Sequence, residues 1–187
     1  MPIIFDRVSF SYQNTPVLQQ VQASLPDRGC VCLQGPSGSG KTTLLRLLCG
    51  LEKPQSGIIR GLAGRSFSVV FQEDRLLPWK TVLQNVSLVA KDPATPIELL
   101  TAMGLKEYIS SFPSQLSGGM QRRVAIARAL AFNGDILVLD EPFNGIDPER
   151  WQQLVFIIQK QYQNRLIVLA THIPEQQVAF QAQIIQL

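Results

Sequence analysis

The chain has 187 residues, 45 % of them hydrophobic, and a formal net charge of +3, which suits one compact domain with a sizeable core. The charge is mild and gathers into no basic run, which argues against nucleic acid as a partner. No apolar stretch approaches the roughly 18–20 residues a bilayer span needs, and Met1-Pro2-Ile3-Ile4-Phe5-Asp6 lacks the basic region and apolar core of a secretion signal.

Any membrane role is therefore expected to come through a partner. Cys30, Cys32 and Cys49 have no metal-ligand spacing and read as small buried hydrophobes of a reducing cytosol.

In chain order, Ile3–Phe10 and Val17–Leu25 are β-rich runs separated by the turn-prone Gln13-Asn14-Thr15-Pro16. Cys30–Gln34 reads as a short apolar strand, followed by a glycine-rich turn and a leucine-bearing helix over Lys41–Leu48. Between them lies Gly35-Pro36-Ser37-Gly38-Ser39-Gly40-Lys41-Thr42, which matches G-x-x-x-x-G-K-[ST] in the strand–loop–helix setting that motif requires. Its glycines let the backbone wrap a phosphate, and the N–H groups at the helix start point towards it. Lys41 brings a charge to the β- and γ-phosphates of ATP, the Thr42 hydroxyl is a ligand for Mg²⁺, and Thr43 completes the nucleotide-binding run.

Ser66–Phe71 is a further strand. The stretch from residue 73 to about 118 has a different texture, with Pro78, Pro93, Pro96 and Pro113 between short helical pieces, and reads as a small helical insert. Ile136–Leu139 is wholly apolar, as in a buried parallel sheet, and ends in Asp140-Glu141. Strand carboxyl ends are where α/β sheets bind ligands. Alone, this pair is an acidic turn; beside a phosphate loop, Asp140 can hold Mg²⁺ through water and Glu141 can act as general base. Pro148–Gln163 has helical spacing of Trp151, Leu154, Val155, Ile158 and Tyr162. Leu166–Ala170 and Ala182–Gln186 read as two last strands around a short helix. Such alternation predicts an α/β fold, a mainly parallel sheet with helices on both faces and a β-rich N-terminal part.

The run Leu116-Ser117-Gly118-Gly119-Met120-Gln121-Arg122-Arg123 resembles the signature of ABC ATPases, and the chain is similar to ATP-binding subunits of ABC transporters from Tyr12 to His172. In that family Ser117, Gly118 and Gly119 serve the nucleotide of a second cassette, packed head to tail around two ATPs. The resemblance gives Tyr12 an adenine-stacking role, although an aromatic at a strand end also serves packing. It assigns Gln72 to Mg²⁺, the attacking water and the permease, Asn144-Gly145-Ile146-Asp147 to a loop crossing the dimer interface, and His172 to the γ-phosphate. It further implies an integral-membrane permease, a solute-binding protein at one remove, a homodimer in the ATP-bound state, and a place on the cytoplasmic side of the membrane.

Arg75-Leu76-Leu77-Pro78-Trp79-Lys80-Thr81-Val82 resembles the corresponding stretch of nitrate, sulfonate and taurine importer ATPases. Its leucines and tryptophan suit either docking anchors or the core of the insert. A permease-free ABC ATPase and a non-hydrolysing nucleotide-binding module are the alternatives; no coiled-coil insertion or tandem domain supports the first, and Lys41, Asp140, Glu141 and His172 stand against the second. An exporter half is also open, although such halves commonly carry fused membrane spans. Three departures from the family pattern are expected to matter. Met120 stands where glutamine is usual, so turnover should be reduced, and Met120→Gln should raise the ATPase rate. Ile173-Pro174 follows His172 in place of an acidic residue, and the end at Leu187 leaves no C-terminal regulatory domain.

Overall fold

A computed structural model describes residues 1–187. Two sheets share the strands. The first is antiparallel, in the order β2-β1-β4, from Ile3–Tyr12 (β1), Thr15–Leu25 (β2) and Ser56–Arg60 (β4). The second is wholly parallel, in the order β5-β6-β7-β3-β8, from Gly29–Gln34 (β3), Phe67–Val70 (β5), Ile136–Asp140 (β6), Leu166–Ala170 (β7) and Gln183–Gln186 (β8).

The apolar strands are buried on both faces, and their period-2 alternation divides them between two cores. From β6, Ile136 and Val138 enter the core shared with β1, β2 and helix α1 (Lys41–Leu48), while Leu137 and Leu139 enter the core on the opposite face. In β7, Leu166, Val168 and Ala170 face one way and Ile167 and Leu169 the other. The second core is closed by α4 (Gly118–Phe132) and α5 (Pro148–Gln161). Two short helices, α2 (Val82–Ser87) and α3 (Thr95–Ala102), pack on α4. The last helix, α6 (Pro174–Ala179), lies between β7 and β8.

Two expectations need correction. The first turn is only Gln13-Asn14, with Tyr12 paired to Thr15 and Pro16 inside β2. Proline is tolerated there because β2 is the edge strand and needs no inward N–H at that position. Strand β4 went unread in the sequence. Ser56-Gly57-Ile58-Ile59-Arg60 is largely exposed and is held by pairing with β1. Gly57, at φ +81°, is required because a Cβ there would lie 2.3 Å from the Arg7 carbonyl.

All three cysteines are free, with Cys32 buried and the other two half-buried. Burial raises all three thiols, Cys49 to about 12, which makes them poor nucleophiles.

Candidate active site

The strand order places the chemistry. Loops leaving the carboxyl ends of β5, β6, β7 and β3 stand side by side, carrying in turn Gln72, Asp140-Glu141, His172 and Gly35–Thr42. Residues up to 137 apart in sequence thereby line one edge of one sheet, where open α/β sheets bind ligands.

Helix α1 starts without a side-chain cap; its first residue is preceded by Gly40 at φ +94°. The first-turn N–H groups therefore lack helical partners and are free to meet an anion. Gly35 and Gly40 are compelled by crowding. A Cβ on Gly40 would meet Leu18 at 2.6 Å, and one on Gly35 would meet the Ser39 hydroxyl at 2.6 Å. Gly38, at φ +83°, faces open space. Lys41 Nζ donates to the Gly35 and Pro36 carbonyls at 2.8 and 2.9 Å, so the ammonium sits over the loop it would share with phosphate. The Ser39 hydroxyl is buried with no partner. Pro36 and Ser37 form the exposed rim of the loop, and Thr43 is buried beneath it.

Thr42 Oγ1 donates to Asp140 Oδ2 at 2.8 Å, joining the two motifs. Asp140 is held above the usual carboxylate range, first by burial and also by the Glu141 charge, while the Thr42 hydroxyl opposes the rise. Two adjacent carboxylates and a hydroxyl, all oxygen donors, fit a hard divalent cation.

Glu141 has φ +47°, left-handed backbone for a residue with a Cβ, which costs on the order of 1–3 kcal/mol. Its N–H donates to the Ala170 carbonyl at 2.9 Å, tying the turn to β7. Oε1 lies 3.0 Å from His172 Nδ1. With Glu141 ionised, Nδ1 carries the hydrogen and Nε2 is left for a second partner. Oε2 is buried and has no partner at all. An oriented carboxylate with one unsatisfied buried oxygen is a ready acceptor for a proton.

Tyr12 lies at the end of β1 in the antiparallel sheet, against Phe10 and with its hydroxyl accepting from Arg46 Nη1 of α1 at 3.0 Å. The Gln72 side chain is exposed and makes no hydrogen bond. Ser117 caps α4, its hydroxyl accepting from the Met120 N–H at 3.3 Å. No hydrogen bond joins Ser117–Gly119 to the phosphate loop of the same chain. Asp147 caps α5 through the Arg150 N–H at 2.9 Å. Met120 is half-buried against the larger core.

A model of the family described as ABC transporter matches residues 18–144, two thirds of the chain. The chain belongs to that family. It is an ATP-binding, ATP-hydrolysing transporter subunit. It is 40 % identical over 173 residues to the aliphatic sulfonates import ATP-binding protein SsuB 1 of Rhodococcus jostii, covering 88 % of this chain and 70 % of that one. It is 44 % identical over 159 residues to the taurine import ATP-binding protein TauB of Rhizobium johnstonii, covering 75 % and 60 %. The dimeric post-hydrolysis state of the ATP-binding cassette MJ0796, bound to ADP and Pi, superposes with a TM-score of 0.86 at 26 % identity, over 99 % of this chain and 94 % of that one. No helix of this cassette is long and apolar enough to cross a membrane.

Two features of the cassette escaped the sequence. A Cβ on Gly119 would lie 2.5 Å from the Gly145 carbonyl, so the start of α4 and the Asn144–Asp147 loop touch backbone to backbone. Gly119→Ala is expected to displace that loop and lower ATPase activity about tenfold, a barrier change near 1.4 kcal/mol. Steady-state rates at saturating ATP check this, and a wild-type rate would show that the loop yields freely. The second feature is Arg122, 3 % exposed and directed into the site from behind.

Proposed function

We propose that this chain is the motor of an importer, hydrolysing ATP as a pair of cassettes beneath a separate integral-membrane permease. The observation that carries the hydrolytic reading is Glu141, whose Oε2 is buried and unpartnered while Oε1 is held by His172. The lean to import, and to an aliphatic sulfonate or taurine as solute, rests on the names of the sulfonate and taurine relatives.

The geometry supports the following division of labour. Gly35–Thr43 cradle the phosphates, Lys41 leaves its two loop carbonyls for them, and Tyr12 stacks on the adenine. Thr42 and Asp140 hold Mg²⁺, with Gln72 reaching in from the β5 loop. Bound there, the ion supplies positive charge to the phosphate oxygens. Glu141 takes the proton of the attacking water, and His172 fixes the carboxylate that does so. Ser117, Gly118 and Gly119 engage the nucleotide of the second cassette, since they lie apart from the phosphate loop of their own chain.

The stretch after Gln72 divides between the two roles open to it. Leu76 packs against the core, while Trp79 is 70 % exposed. Asn85 pins the turn between them, accepting from the Leu77 N–H at 2.8 Å and donating to the Leu77, Lys80 and Thr81 carbonyls. A rigidly presented tryptophan is a good anchor for a permease segment, which would place the cassette on the cytoplasmic face of the membrane. Because Met120 faces the core as much as the surface, the gain from Met120→Gln should be confined to the rate at saturating ATP; an unchanged rate removes Met120 from the account of turnover.

The direct test is affinity capture of the tagged chain from detergent-solubilised membranes, with ATPase activity measured on the eluate. Recovery of a multi-span membrane protein together with ATP hydrolysis is expected. Hydrolysis with soluble partners alone would instead favour a cassette that works without a permease.

A further inference from the structure

An arginine buried in a helix must place five N–H donors, and where it places them shows what it holds. Arg122, in the second turn of α4, reaches two separate segments. Its Nη1 donates to the Phe71 carbonyl, to the Gln72 carbonyl at 3.2 Å and to Asp74 Oδ1 at 2.9 Å. Its Nη2 donates to the Asp140 and Glu141 carbonyls at 2.8 and 2.6 Å, and Nε to the Pro142 carbonyl at 2.9 Å. One guanidinium thus clamps the backbone of the loop carrying Gln72 to the backbone of the catalytic carboxylates. It does so from a helix whose N-terminus is Ser117.

We infer that Arg122 is a positioning residue that sets the geometry of Glu141 and transmits to it the state of the Gln72 loop. The inference rests on Glu141 being the base proposed above. Two points favour positioning over mere support. The bonds to Asp140, Glu141 and Pro142 embrace the one catalytic residue whose backbone is left-handed, a conformation that persists only when its surroundings hold it. The opposite end of the guanidinium meets a loop with few other anchors. Of these, Arg128 of α4 donates to the Asp74 and Arg75 carbonyls, both at 2.8 Å, and touches none of the carboxylate strand. Arg122 alone bridges both segments. A movement of the Gln72 loop towards or away from a permease is therefore felt at Glu141 through three bonds of a rigid planar group.

Lysine has the charge but only three donors at a single point, so it cannot span both segments. In Arg122→Lys, kcat should fall about tenfold while KM and the dissociation constant of a fluorescent ATP analogue stay within about twofold of wild type. Amide exchange should quicken together at Gln72–Arg75 and at Glu141. A residue that only stabilised the fold would instead lower the melting temperature and weaken nucleotide binding without separating kcat from KM. Asp74→Ala, which removes one acceptor and leaves the arginine, should give a smaller fall in kcat with faster exchange confined to Gln72–Arg75. It also decides the matter if Arg122→Lys does not fold, because wild-type kcat and exchange in Asp74→Ala would overturn the inference. Wild-type kcat in Arg122→Lys would do the same. A wild-type chain that hydrolyses no ATP would sink the catalytic reading instead, and the paired exchange change would still report whether Arg122 links the two segments.

Discussion

Replacing Glu141 with glutamine is expected to lower ATP turnover about 10²–10⁴-fold, the usual worth of a positioned general base, and to leave ATP binding intact. Glutamine has the same length and can still meet His172, so the 3.0 Å contact that orients the side chain is retained. What disappears is the capacity of the unpartnered oxygen to take a proton. The left-handed backbone at φ +47° is no harder for glutamine than for glutamate, so the fold should hold. With chemistry blocked and binding intact, the ATP-bound pair of cassettes should accumulate. Size-exclusion chromatography with light scattering, run with saturating ATP and Mg²⁺, should show a dimer where the nucleotide-free variant is a monomer. A variant that stays monomeric there, or hydrolyses at the wild-type rate, removes Glu141 from the role assigned to it.

The parts of this site legible in the sequence are those where local spacing and chemistry coincide. The phosphate loop announced itself because the turn between β3 and α1 calls for glycine at position 35, where a Cβ would meet the Ser39 hydroxyl, and at position 40, where φ is +94° and a Cβ would meet Leu18. Asp140 and Glu141 were legible because four apolar residues before them form a strand buried on both faces. The remainder depends on segments meeting that are far apart in sequence. In a helix, Arg122 reads as one more solvated cation, and its burial exists only because residues 71–74 and 140–142 fold over it. Gly119 reads as a cap residue, while its tightest neighbour is Gly145, 26 positions on. Strand β4 has too little apolar pattern to be seen without its partner β1. The split between Leu76 and Trp79 is set by Asn85, a polar residue whose sequence context gives no sign that it is wholly buried.

Lys41→Ala is expected to abolish measurable nucleotide binding, and the structure shows why the loss should exceed that of one surface charge. In the free cassette the ammonium donates to the Gly35 and Pro36 carbonyls, so it both draws the loop closed and holds a positive charge at its centre. Alanine removes the charge that meets the phosphates and also the two bonds that keep the loop ready for them. The N–H groups at the start of α1 remain, yet they then face a loop with two fewer internal ties. A weakening of at least about 100-fold, near 2.7 kcal/mol, is expected in titration calorimetry with ATP. The thermal midpoint without nucleotide should barely change, because Lys41 lies at the edge of the core that secures α1 through Leu44, Leu45, Leu47 and Leu48. An unfolded variant and an intact one that cannot bind are thereby told apart. Undiminished heats of binding in a folded variant would overturn the assignment of Gly35–Thr42 as the phosphate site, and with it the order in which the neighbouring loops were given their roles.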